Sequence, residues 1–129
     1  DGDDTTGVVA IADALKVNAV LKSIDLSRNN LDVEAGKAIA KALEVNSVLK
    51  SINLSGNSLS TEGWCAIFHA LRDNKDNKIE WWDLSRQGIN AEIAKALAEY
   101  ISGSRVLKKL SLAMHVAPFL ASRTILKQA

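Results

Sequence analysis

The stretch LKSIDLSRNNL, residues 21–31, returns as LKSINLSGNSL at 49–59, IEWWDLSRQGI at 79–89 and LKKLSLAMHVA at 107–117. The four starts lie 28, 30 and 28 residues apart, and the two extra residues of the third unit fall most simply within 74–77. Each copy follows L-x-x-L-x-L-x-x-N-x-L and is linked to the next by an alanine-rich stretch such as EAGKAIAKALEVN, residues 34–46. Helical spacing puts Ile39 and Leu43 of that stretch on one buried face. A fixed period overrides local secondary-structure signals, so the unit reads strand, loop, helix, loop.

Stacked units place equivalent residues in columns. Alternation along each strand buries Leu21, Ile24 and Leu26, then Leu49, Ile52 and Leu54, then Ile79, Trp82 and Leu84, then Leu107, Leu110 and Leu112. Leu31, Leu59 and Ile89 close each turn from the loop. The intervening positions face outward as Ser23/Ser51/Trp81/Lys109 and Asp25/Asn53/Asp83/Ser111, which leaves Trp81 exposed and Trp82 buried. The helices align Val8, Gly36, Trp64 and Ala94, so the Trp64 indole is expected to pack over space left by Gly36 and Ala94.

The repeated motif resembles the leucine-rich repeats of the ribonuclease-inhibitor-like class, found also in NOD-like receptors, Ran GTPase-activating proteins and tropomodulins. The likeness covers roughly residues 7–115 and implies an α/β, right-handed horseshoe arc, with about four parallel strands on the concave face and helices on the convex face. The physics agrees, because strands repeat every ~4.8 Å and helices every ~8–10 Å, so stacking identical units bends the array toward its strands. The concave face is the usual binding surface of that family. Asn29 and Asn57 are expected beneath tight turns, where an amide can both donate to and accept from peptide groups of adjacent turns. Gln87 and His115 hold that position in the last two units, a departure from the family pattern.

The ends differ from the middle. Residues 1–18 match only the helical half of a unit, 19–115 hold the four strand units, and 116–129 leave the repeat as a C-terminal cap. Pro118 is placed to open a short helix that covers the last strand with Phe119, Leu120 and Leu126. Residues 1–6 read as frayed, and a first residue of Asp reads as a piece of a longer chain.

Composition narrows the function. The 129 residues carry 16 basic and 15 acidic side chains, a net charge of +1, so neither nucleic acid nor a membrane surface is an expected partner. One cysteine cannot form an internal disulfide, and a reducing, cytoplasmic setting is expected. Cys65 and His69 sit at ligand spacing on one helix. Their columns hold Lys37 and Lys95 on one side and Lys41 and Glu99 on the other, which disfavours a cation. The DGDD start lacks a glutamate at the twelfth loop position, where Ala12 stands. Asn53-Leu54-Ser55 is formally a glycosylation sequon, but Leu54 is a core position. Ser27, Ser55 and Ser85 are products of the repeat, and no phosphate loop, nucleophile elbow or catalytic carboxylate pair is present. No cofactor, metal or small-molecule substrate is expected.

The third unit stands apart, with Trp64, Phe68, Trp81 and Trp82 among the chain's six aromatic residues. One reading is compensatory packing, in which a large Trp82 widens the unit and the longer loop accommodates it. The other is a binding centre around Trp81, with Ser51 and Lys109 beside it and Asp25, Arg28, Asn53, Asp83 and Arg86 nearby, because aromatics and arginine anchor interfaces. The resulting expectation is a non-catalytic module that binds a protein partner on its concave face. The alternative is a structural subunit that packs through its convex helices or its ends. A GTPase-activating fragment, by analogy with one branch of the family, matches no residue here.

Overall fold

The computed structural model describes residues 6–84 and 88–111. Among these residues four helices and four short strands alternate: α1 (Thr6–Val17), β1 (Ser23–Asp25), α2 (Val33–Leu43), β2 (Ser51–Asn53), α3 (Ser60–Asp73), β3 (Trp81–Asp83), α4 (Ala91–Gly103) and β4 (Lys109–Ser111). The strands form one parallel sheet in chain order. Ile24 pairs with Ile52, Ile52 with Trp82 and Trp82 with Leu110, so the register is the one set by the motif. Helices α1 to α4 pack each on the next, and side chains of α3 and α4 meet Trp82 on one face of this sheet. The result is an α/β solenoid.

Burial follows the columns, with one correction. Ile52, Leu54, Trp82 and Leu84 are fully buried, and Leu31, Leu59 and Ile89 close the turns from below. Leu21, assigned to the core by its column, is 39% exposed, whereas Leu49 and Ile79 are each 1% exposed. The reason is position: β1 is the edge strand of the sheet, and among the described residues no strand pairs with its outer side. Ile24 is half-buried for the same reason. Gly36 meets Gly63 and Leu59, so that a Cβ there would sit 3.2 Å from the Gly63 Cα. The glycine pair lets α2 and α3 approach closely, and the buried Trp64 indole packs against Phe68 and Trp82.

Turn chemistry joins the units. Asn57 accepts from the backbone N–H groups of Asn29 and Leu31 through Oδ1, at 2.8 and 3.0 Å. Its Nδ2 donates to the carbonyls of Leu26 and Leu54, at 3.0 Å each, so one amide ties two units together. Asn29 is exposed, and its amide donates to the Ser27 carbonyl within its own unit. The turn needs a left-handed residue, supplied by Arg28 (φ 57°) in the first unit and Gly56 (φ 75°) in the second. A Cβ on Gly56 would also meet the Arg28 Cγ at 2.8 Å.

Helix starts repeat as well. Asp32 caps α2 by accepting from the Ala35 N–H, and Asn90 caps α4 by accepting from the Ile93 N–H. Ser60, the equivalent residue of the third unit, makes no such bond and has φ 64°. Glu34, Glu62 and Glu92 lie in the first turns, where a carboxylate favours the positive end of the helix dipole. The expectations for Ser85, Arg86, Gln87, Leu112, His115 and the cap from Val116 onward lie outside the described residues, as do those for residues 1–5.

Two substitutions test this stacking. Leu54→Ala should lower unfolding free energy by about 2–5 kcal/mol, since a leucine with a unit on each side leaves a cavity that cannot collapse. Asn57→Ala should cost about 1–3 kcal/mol by stripping turn peptides of their partner. Denaturant unfolding followed by circular dichroism measures both, and curves that overlay the wild type would contradict the stacked turns.

Candidate binding surface

Because Ile24, Ile52, Trp82 and Leu110 face the helices, the alternate strand positions lie on the sheet face that the helices leave open. One row runs Ser23, Ser51, Trp81, Lys109, each paired in register with the next. The Ser23 and Ser51 hydroxyls share a hydrogen bond of 2.9 Å. Trp81 is half-buried rather than freely exposed, because Ser51 and Lys109 flank it on rungs ~4.8 Å away. Part of its indole still faces solvent, and Lys109 beside it is exposed.

The second row begins with Asp25, Asn53 and Asp83. Asp25 Oδ1 accepts from the Ser27 hydroxyl at 2.6 Å and the Ser27 N–H at 3.0 Å. The Ser27 hydroxyl, and then its N–H, hold the Asp25 carboxyl below its ordinary range. Asn53 repeats the arrangement with Ser55, accepting from its N–H and its hydroxyl. Both side chains are thereby fixed by their own turns and present a rigid polar row. Arg28 lies at the turn beyond, exposed, its N–H donating to the Ser55 carbonyl.

The strand that carries Trp81 is anchored from behind through Trp82. Behind the sheet lie four buried rings, from α3, β3 and the following helix α4: Trp64 stacks on Phe68 at 5.6 Å, Phe68 on Tyr100 at 6.1 Å, and Trp82 meets Trp64 and Phe68 edge-on. Trp82 donates its Nε1–H to the Tyr100 hydroxyl at 3.3 Å, which satisfies a buried donor. Trp64, Phe68 and Trp82 therefore belong to the packing of the unit, and Trp81 alone reaches the open face. Tyr100, which the sequence reading left out, completes the cluster.

The helical side offers less chemistry. Cys65 donates to the Glu92 carbonyl at 3.8 Å, and burial pushes its thiol up, which keeps it protonated. His69 Nε2 lies 3.9 Å from Glu99, which also receives Arg72 at 2.9 Å. Among the described residues no group of three or more His, Cys, Asp or Glu side chains is arranged to hold a metal ion. No described helix is long and apolar enough to cross a membrane.

The leucine-rich repeat family matches residues 17–40 and 45–67. No curated protein sequence matches the chain. Among solved structures, actin-binding site 2 of leiomodin-1 superposes with a TM-score of 0.75 at 26% identity, covering 94% of this chain and 73% of that one. The C-terminal domain of Caenorhabditis elegans tropomodulin matches with a TM-score of 0.50 at 12% identity, covering 92% of this chain and 89% of that one. At that identity the likeness is one of fold.

The aromatic cluster carries a pH signature. Tyr100 is the sole tyrosine, and burial pushes its phenol well above the ordinary value of 10.0, the Trp82 hydrogen bond opposing only in part. The folded state keeps the phenol neutral while the unfolded chain ionises near pH 10. This contribution to stability is whole below about pH 10 and is lost as pH rises above it. In an alkaline titration, tyrosinate absorbance should appear only together with loss of the helical circular dichroism signal. Ionisation near pH 10 with the helices intact would contradict the buried phenol.

Proposed function

Starting from a chain that is a leucine-rich repeat protein of the ribonuclease-inhibitor-like class, we propose that it works as a non-catalytic module whose concave sheet face grips a protein partner, with actin the first partner to test. Trp81 carries this reading. It is a large ring on the open face, between Ser51 and Lys109, backed by a packed aromatic layer. Such a ring loses little freedom on binding and buries much apolar area, the profile of an interface anchor. Asp25, Asn53, Asp83 and Arg28 supply a polar border, and Arg86, which follows β3 in sequence, is the arginine proposed to act with Trp81. The likeness to an actin-binding site of leiomodin-1 supports actin as partner. An intracellular location accords with that partner.

A second reading, assembly through the end of the array, draws on Val17 and Val20, which are 83% and 77% exposed beside the open edge of β1. Sedimentation over a range of concentrations separates a self-associating subunit from a monomeric binder.

Trp81→Ala should weaken binding to purified actin by at least about 2 kcal/mol, roughly thirtyfold, and leave the thermal melt nearly unchanged. Lys37→Ala and Lys95→Ala on the helices should leave affinity within a factor of about two. Co-sedimentation with actin measures all three. Helical substitutions that abolish binding while Trp81→Ala keeps it would overturn the concave-face mechanism.

A further inference from the structure

The near-zero net charge conceals a segregation by edge. In a parallel array every helix-to-strand connection lies on one edge and every strand-to-helix connection on the other. The first edge carries Lys22, Lys50, Lys75, Lys78, Arg105, Lys108 and, at the start of β4, Lys109, against the acidic Asp76 and Glu80. The second carries Asp25, Asp32 and Asp83, followed by the first-turn glutamates, with Arg28 as its basic residue among the described ones.

The cations of the first edge are placed by the backbone ladder. Lys50 N–H donates to the Lys22 carbonyl at 2.7 Å, Glu80 N–H to the Lys50 carbonyl at 2.8 Å, and Lys108 N–H to the Glu80 carbonyl at 2.8 Å. Lys22, Lys50, Glu80 and Lys108 therefore occupy successive rungs ~4.8 Å apart. Like charges on adjacent rungs repel, and a fold free of other demands would alternate their signs. Only Glu80 does so, 3.8 Å from Lys108. Among the described residues Lys22, Lys50, Arg105 and Lys109 have no ion-pair partner. On the helices Lys37 meets Glu62 at 2.7 Å and Arg72 meets Glu99 at 2.9 Å, whereas the exposed Lys41 and Lys95 stand singly on α2 and α4 rather than on adjacent rungs of one ladder.

We infer that this basic edge is a docking surface for an acidic segment of a protein partner. The inference rests on the reading of the chain as a protein-binding module, but not on actin as the partner. Carboxylates of such a segment would lie over Lys22 and Lys50, with Lys108 and Lys109 extending the row to the rim of Trp81. A polyphosphate backbone or an anionic bilayer fits less well. Glu80 interrupts the row, and Asp25 and Asp83 bound it three residues further along the strands, so a continuous sheet of negative charge meets repulsion that a short acidic segment avoids.

The test uses fluorescence anisotropy of a fluorescein-labelled alternating glutamate–alanine peptide, with oligothymidylate and phosphatidylserine-containing vesicles as parallel probes. The peptide should bind in a salt-sensitive manner. Lys22→Glu with Lys50→Glu should weaken it at least about tenfold, whereas Lys41→Glu with Lys95→Glu, which change net charge equally from exposed helix positions, should leave it within about twofold. Equal losses from the two pairs, no peptide binding, or tighter binding of the oligonucleotide or vesicles would each overturn the inference. If the wild type fails to bind actin yet the lysine pairs separate, the partner assignment falls and the docking edge stands.

Discussion

One asparagine amide spanning two units is the constraint on which the architecture depends. A parallel strand of three residues makes too few ladder bonds to fix its neighbour, and the turns on either side would bury peptide groups without partners. Asn57 resolves this at one edge by bonding peptides of its own unit and of the unit before it. At the other edge Asn46 Nδ2 reaches the Leu15 carbonyl and Asn74 Nδ2 reaches the Leu43 carbonyl, each at 2.8 Å. With both edges pinned, register cannot slip, and every outward column, including the one that ends in Trp81 and Lys109, follows from it.

The third unit shows how the array absorbs a large side chain. Trp82 stands where Ile52 and Leu110 stand on adjacent strands, and its extra volume is taken up by Trp64, Phe68 and Tyr100. The longer connection keeps both asparagine duties by dividing them. Asn74 holds the preceding unit, while Asn77 Oδ1 accepts from the Ile79 N–H and its Nδ2 from below donates to the Leu71 carbonyl. Packing thus accounts for three of the four aromatic residues of that unit, and the fourth is left on the open face.

Strand register, the buried columns and the burial of Trp82 were legible because four phased copies of one motif specify them together. What escaped was information that repetition does not carry. Leu21 sits in a core column yet is exposed, because a column cannot tell a residue that it is first. The series Asn18, Asn46, Asn74 recurs every 28 residues, the same signal that exposed the Asn29 and Asn57 column, but it lies just before the motif and went unread. Tyr100 was missed because it joins the aromatic cluster from the following helix, a contact across units with no signature in local spacing. The edge-wise division of charge was hidden by a sum, since net charge takes no account of which end of a strand a lysine occupies.

A face defined by strand alternation and an edge defined by chain direction meet at Trp81 and Lys109, and the account holds that a protein partner is held there. Hydrogen–deuterium exchange of this chain with and without saturating actin tests that claim most directly. The account predicts slowed exchange in β2, β3, β4 and the connections entering them, with α2 and α3 unchanged. Slowed exchange confined to α2, α3 and α4, with the strands unaffected, would contradict it.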